Sequence, residues 1–505
     1  KGGLSMSLRH AARQVMHLLR RPMPPLFGGR SGGRRIAGAA PPPAPPRRRR
    51  DRGVALLVVI TWLALMIALV GEFTFGTSVD AAQAANARDE LRAHYMARSA
   101  VNLGRLLIKI QQRFVEPMMG QAQKMLQASM GTDKTDANGA ASGAAAAASS
   151  AGFGISLRVT DYADLLMGFF SGSKEEVSSL GSLIGLDISQ AKGLGMKSGR
   201  FDAEITPEDG KINLNCGAGL DVFNNAFKIR QLNVFRLLAG LMFSPRYDRL
   251  FSEANSTGQF VSRLDVARAL IDWADNDEQM FSPEGATAAE DYHYDAEKDK
   301  YRAHDNRYDT LEEIKQVRGV SDEFMEAFGP YLTVYQNTNA DCRVNLGTIS
   351  NRLGGDCAPL IMGVIRAAAM TDPSKTATAD PSILDDTKLY PLATILCDRA
   401  SAGGFDSLDT IINVASKPET AVLSDDPRYR VLQGMKPLVL DRAALAAVAY
   451  VGAPRMYRIV ATGTSGRVKK KITAIVDTGR IVENPMTLNI QSEQAAGVLQ
   501  YWREE

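Results

Sequence analysis

The chain has 505 residues, 45% of them hydrophobic and 23% charged, with a formal net charge of +3. That length allows two to four domains at roughly 150 residues each, and the composition is that of an ordinary globular chain. So small a net charge gives no electrostatic reason to expect a nucleic-acid partner.

The first 53 residues are basic and rich in proline and glycine. They include Pro41-Pro42-Pro43-Ala44-Pro45-Pro46 and then Arg47-Arg48-Arg49-Arg50-Asp51-Arg52-Gly53. Such a segment cannot bury a core, and it reads as a leader. An uncharged apolar run follows from Val54 to Gly71. It is just long enough to cross a bilayer as a helix, and the arginines before it should stay on the cytoplasmic side. A secretory signal would have a shorter apolar core and a small-residue site beyond it, where this chain has Glu72-Phe73-Thr74-Phe75-Gly76. The glycine between basic leader and apolar helix suits a leader removed ahead of a retained anchor. An unprocessed signal anchor is the plainer alternative.

The helix should continue beyond the membrane. From Val79 to Gln112 there is no proline and one glycine, Gly104. Leu91, Tyr95, Val101, Leu106, Leu107 and Ile110 then fall at steps that suit one half-buried face. One helix over 54–112 would be about 90 Å long. The stretch 130–154 is rich in alanine, glycine and serine and reads as a low-complexity loop, with an alanine-rich helix as the alternative.

Phe201 to Thr206 and Lys211 to Asn215 alternate in polarity around Pro207-Glu208-Asp209-Gly210, which predicts a hairpin. Met456 to Thr462 and Lys469 to Val476 predict a second hairpin, turning at Thr464-Ser465-Gly466-Arg467. More than 200 residues between them read mainly as helix. A lone hairpin is too small to be stable, so the expected fold is α+β, one antiparallel sheet interrupted by a helical domain. The segments are then a leader over 1–53 and a helix over 54–112, with its membrane part at 54–71. The first part of the sheet domain takes 113–220, the inserted helical domain 221–450, and closing strands 451–505. Within the insert, Tyr308-Asp309-Thr310-Leu311-Glu312-Glu313-Ile314 is echoed by Phe405-Asp406-Ser407-Leu408-Asp409-Thr410-Ile411. Thr310 and Glu313 have capping-box spacing, and the break at Gly319 before Asp322 predicts a helix-hairpin-helix pair. Some such pairs bind nucleic acid through backbone amides, but the acidic residues crowding this one favour protein packing.

The densest acidic cluster is Asp272, Asp275, Asp277 and Glu278, followed by Glu290 and Asp291. Carboxylates at that density fit calcium, which takes six to eight oxygens, although the spacing is not that of an EF-hand. A solvated acidic loop is the alternative. His293 and His304 lie in the same region, yet no elbow, metalloprotease or phosphate-loop motif occurs, so no enzyme is expected. Four cysteines, Cys216, Cys342, Cys357 and Cys397, permit disulfides outside the cytoplasm. Cys342 with Cys357 is the expected pair on proximity; Cys216 and Cys397 are left to pair or stay free.

Taken in order, these features resemble one family. Arg52-Gly53 before Val54 looks like a prepilin-type signal. Ala85 to Arg105, Phe201 to Asn215, Leu270 to Asp277, Tyr308 to Val320, Pro330 to Tyr335 and Val498 to Glu504 are similar to successive segments of the type II secretion system minor pseudopilin K, also called general secretion pathway protein K. The resemblance implies a pilin-like fold, a long N-terminal helix on a small antiparallel sheet, with a large inserted helical domain. It implies cleavage after Gly53 by prepilin peptidase, N-methylation of Val54, and calcium held in the helical domain. It further implies a single-pass protein of the bacterial inner membrane with its bulk in the periplasm. There it would join minor pseudopilins of types I and J, cap the fibre of the major pseudopilin and start its assembly. Pilin-like subunits normally carry glutamate at the fifth mature position, and this chain carries Val58, which fits a subunit with none above it. A type IV minor pilin and, in a different class, a membrane-anchored periplasmic hydrolase are the competing readings.

Overall fold

The computed structural model describes residues 52–115, 160, 163, 199–218, 225–252, 260–283, 289, 294, 300–335, 342–349, 356–371, 383–422, 425–434, 437–479 and 497–505. The leader before Arg52 and the low-complexity stretch 130–154 lie outside them.

The longest element is helix α1, Arg52–Ile110, which passes into a short π-helical turn, Gln111–Val115. Contacts divide the chain into two units, Lys1–Thr77 and Ser78–Glu505. In the first unit the side chains of α1 are exposed all round, Val54, Trp62, Leu69 and Phe73 among them. The segment is long and apolar enough to cross a membrane. Its hydroxyls do not stay unpaired: Thr61 donates to the Val58 carbonyl at 2.9 Å, and Thr74 to that of Val70 at 2.6 Å. This backbonding lets polar side chains sit on an apolar helix.

In the second unit, α1 lies on a four-stranded antiparallel sheet. Its strands are β1 (Arg200–Pro207), β6 (Met456–Ser465), β7 (Val468–Asp477) and β8 (Val498–Glu504), ordered β1-β6-β7-β8. Alternation along β1 buries Phe201, Ala203 and Ile205 and leaves Asp202 and Glu204 exposed. The helix face that meets them is made of small residues. Ala93, Ala97, Ala100 and Val101 are fully buried, and Gly104 packs against Ile459 and Ile205. This corrects the expected face, because Leu91, Tyr95 and Leu106 are exposed while Val101 and Leu107 are buried. Gly463 on β6 explains the choice of small residues. A Cβ there would fall on the Ala93 carbonyl oxygen, so helix backbone and strand backbone approach too closely for large side chains.

The C-terminal hairpin forms as expected, with Ser465 opposite Val468 and the turn at Gly466 (φ +58°) and Arg467. The first hairpin does not form. β1 runs antiparallel to β6, from Arg200 opposite Thr464 to Pro207 opposite Tyr457. The short β2, Ile212–Asn213, pairs in parallel with β3, Leu332–Thr333. Acidic residues at the bend decide this. The Asp209 carboxylate accepts the N–H groups of Arg455 and Met456, at 2.7 and 2.8 Å. Glu208 is 1% exposed and binds Lys211 at 2.8 Å and Arg458 at 2.6 Å. These contacts clamp the point where the chain leaves the sheet to the point where it returns.

Between those points lies a helical domain with its own large core. Its longer helices are α2 (Asn225–Met242), α3 (Arg263–Asp272), α4 (Asp322–Phe328), α5 (Ala358–Thr371), α6 (Asp386–Gly403), α7 (Leu408–Ser416) and α8 (Arg442–Val448). α2 and α5 cross at Gly240 and Gly363, where added Cβ atoms would strike the opposing backbone. The echo seen in the sequence has a structural counterpart. One copy ends in β3, paired with β2; the other ends in β5 (Ala449–Tyr450), paired in parallel with β4 (Val344–Asn345). In both pairs an asparagine closes the turn after the first strand. Asn213 accepts from the Asn215 N–H and donates to the Tyr335 carbonyl; Asn345 accepts from the Gly347 N–H and donates to the Gly452 carbonyl.

The capping box expected from Thr310 and Glu313 is absent. A 3-10 helix, Leu311–Gln316, starts after Thr310 without a side-chain cap. Glu313 reaches back to the Asp309 N–H at 2.8 Å and across to the Trp273 indole at 3.0 Å. The expected Cys342–Cys357 disulfide is also corrected: Cys216 is bonded to Cys342 and Cys357 to Cys397. β2 and its neighbour β3 bring Cys216 beside the segment leading into β4, while Cys357 abuts α5 and Cys397 lies within α6 against it.

Candidate functional site

The acidic motif sits at the C-terminal end of α3. That helix starts at a complete capping box, in which Ser262 and Asp265 satisfy each other's backbone N–H groups. Its buried face, Val266, Ala267, Leu270 and Ile271, fixes it in the core. Two further bonds hold its end: Tyr308 donates to the Leu270 carbonyl at 2.8 Å, and Trp273 donates to Glu313. The chain turning out of α3 therefore carries Asp272 and Asp275 inward, at 4% and 2% exposure.

Buried carboxylates need partners. The Phe281 N–H donates to Asp272 Oδ1 at 2.7 Å, and Gln231 Nε2 donates to Asp275 Oδ2 at 2.8 Å. Asp275 Oδ1 is buried with no partner. Burial, and to a lesser degree Asp277, pushes Asp272 up to about 7 against the Phe281 bond. Burial, then the charges of Asp272, Asp277 and Asp305, pushes Asp275 up to about 9. Burial thus favours the protonated form of Asp275 at neutral pH, and that of Asp272 less strongly, unless a cation takes the proton's place.

The other expected ligands are placed differently. Asp277 is half-buried and accepts the Gln279 N–H at 2.8 Å, and Glu278 is exposed. Glu290 and Asp291 lie outside the described residues, as does His293. Among the described residues no three His, Cys, Asp or Glu side chains converge closely enough to hold a metal ion. Asp272 and Asp275 are the carboxylates a hard cation such as calcium would meet here, and Asp275 Oδ1 is the buried oxygen that lacks a donor. Sequence reasoning missed Gln231 and Asp305, which come from α2 and from the segment before Tyr308. Distance along the chain hid both. His304 faces Glu313 at 2.9 Å, and that carboxylate also takes the Trp273 and Asp309 N–H groups, so the pair ties α3 to the 3-10 helix.

At the other candidate site, Gly53 and Val54 lie in the first turn of α1, and the side chains of Val54 and Val58 are 60% and 50% exposed. No acidic residue occupies the first turn of this helix.

A long helix, apolar at its start and laid on a small antiparallel sheet, with a helical domain inserted between β1 and β6, is a pilin-like fold enlarged by an insert. Residues 236–337, within that insert, match the family model of Type II secretion system (T2SS), protein K, and this is the family to which the sequence showed its resemblance. Among solved structures the chain is similar to one in the crystal structure of the GspK-GspI-GspJ complex from the enterotoxigenic Escherichia coli type 2 secretion system. The identity is 12% and the TM-score 0.34, with 61% of this chain and 81% of that one covered. No curated protein sequence matches the chain.

Proposed function

We propose that the chain is a minor pseudopilin of the type II secretion system that caps the tip of a periplasmic fibre and starts its assembly. The observation that carries this reading is the protein K match over 236–337, in a segment inserted into a sheet that packs on an apolar-led helix. On this reading prepilin peptidase cuts between Gly53 and Val54, the Val54 amine is methylated, and α1 stays in the inner membrane as the anchor until the subunit joins the fibre. Types I and J minor pseudopilins would be its partners at the tip, with the major pseudopilin below. A subunit inside the fibre offers a carboxylate to the amine of its neighbour; Val58 offers none, which suits the uppermost place. Calcium bound at Asp272 and Asp275 would neutralise their charge and fix the end of α3.

The test is the mature N-terminus of protein purified from cells with active prepilin peptidase. Mass spectrometry should find Val54 first, one methyl group heavier than the bare residue. Retention of residues before Gly53 in those cells would overturn the proposal.

A further inference from the structure

A small cleft beside the acidic motif is lined by two arginines that come from different parts of the chain. Arg268 projects from α3, and Arg318 from the turn between the 3-10 helix and α4. Gly319 brings them together. It adopts φ +82°, and a Cβ there would meet Val266 Cγ2 at 2.7 Å and Val261 Cγ1 at 2.9 Å. Only glycine lets this turn press so closely on α3, two residues from Arg268. The Arg318 N–H is further held by the Tyr294 hydroxyl at 3.5 Å.

The donors in this cleft outnumber the acceptors. Arg268 Nε and Arg318 Nε are both buried and lack a hydrogen-bond partner. Neither nearby carboxylate meets Arg318 or Arg268 Nε. Asp265 closes the capping box with Ser262 through Oδ2, and its Oδ1 accepts from Arg268 Nη1 at 3.4 Å; Asp272 Oδ1 takes the Phe281 N–H. Among the described residues Arg318 has no ion pair. Buried N–H groups without acceptors are costly, and a pair of them lining one cleft points to a missing ligand. The cleft measures about 30 Å³, which accommodates about two water-sized groups. Two waters would satisfy the donors but leave the Arg318 charge uncompensated. The two oxygens of a carboxylate would do both, since guanidinium donors match that planar group. A dianionic phosphate is disfavoured, because Asp265 and Asp272 share the cleft. Arg268 is 27% exposed at its side chain, so the site is reached from the surface.

We propose that Arg268 and Arg318 form a docking site for one aspartate or glutamate side chain of a partner protein. The site does not rest on the secretion reading. The test is fluorescence anisotropy of the full chain in detergent with labelled hexaglutamate, using hexaglutamine as the uncharged comparison. Hexaglutamate should bind and hexaglutamine should not. Arg318→Gln and Arg268→Gln should each weaken binding about 10-fold or more, as loss of a charge-assisted bond predicts. Lys315→Gln, which removes an exposed cation three residues from Arg318, should leave it unchanged. In the unaltered chain, the Nε–H resonances of both arginines should shift as hexaglutamate is added, a readout that needs no variant to fold. Equal weakening by Lys315→Gln and Arg318→Gln, or unmoved arginine resonances, would overturn the proposal. Competition by inorganic phosphate as strong as that of unlabelled peptide would also overturn it, by showing a site for free oxyanions.

Discussion

Glu208 gives the sharpest energetic prediction. It is 1% exposed and sits where the chain leaves the sheet, bound to Lys211 and to Arg458 on β6. Burial alone would raise its pKa; the charges of Lys211 and Arg458 outweigh burial and hold it at about 2, against an ordinary 4.5. A carboxyl with a depressed folded pKa adds stability that is complete above the unfolded value. That stability is lost as pH falls toward the folded one. The interval from 4.5 to about 2 corresponds to about 3 kcal/mol, lost between roughly pH 5 and pH 2. Glu208→Gln removes this pH-dependent part and leaves Arg458 buried without its counter-charge, which costs about 3–5 kcal/mol at pH 7. The double variant Glu208→Gln/Arg458→Met removes both charges and should regain much of that loss. Urea unfolding at pH 7, 5 and 3, followed by tryptophan fluorescence, measures all three chains. If Glu208→Gln matches the parent at pH 7, or keeps the parent's full loss of stability between pH 5 and 3, the clamp is not holding the sheet to its insert.

Other expectations follow from close contacts and covalent links. Gly463→Ala should push α1 off β6 and cost roughly 1–3 kcal/mol, read as faster proteolysis within α1 beyond Thr77; an unchanged rate would refute the close approach. The Cys216–Cys342 bond spans 126 residues and Cys357–Cys397 spans 40, so chain entropy assigns them about 5 and about 4 kcal/mol. Replacing the first pair by alanine should therefore lower the urea midpoint at least as much as replacing the second. Chelation should lower the melting temperature of calcium-loaded protein, by the equivalent of about 3 kcal/mol when free calcium had been 100 times its Kd. Asp275→Asn should abolish that response, and indifference to chelator in the parent chain would sink the calcium reading. Val58→Glu should insert in the membrane normally yet reduce secretion; full secretion would show that the missing acid is permitted at the tip and not required.

Much of this architecture was legible because it depends on local pattern. The uncharged run from Val54 to Gly71, the alternation along Met456 to Val476 and the echo of Tyr308 to Ile314 each report a periodicity that solvent enforces on neighbouring residues. The acidic motif was legible as a composition, and the structure shows that Asp272 and Asp275 are its buried members while Glu278 is exposed.

Partner choice was not legible. β1 looked ready to fold onto Lys211 to Asn215, but it pairs with β6, some 250 residues away, because Glu208 and Asp209 find their cations and N–H donors there. Cys342 looked closest to Cys357, but parallel pairing of β2 with β3 delivers Cys216 to it instead. Large apolar residues on α1 looked like its contact face, but Gly463 admits only Ala93, Ala97 and their small neighbours. Local pattern set which segments are helix, strand and membrane-length apolar run, since those preferences act over a few residues. Which of them meet was settled in three dimensions, since pairing, disulfide choice and the burial of a charge depend on groups that the chain order keeps far apart.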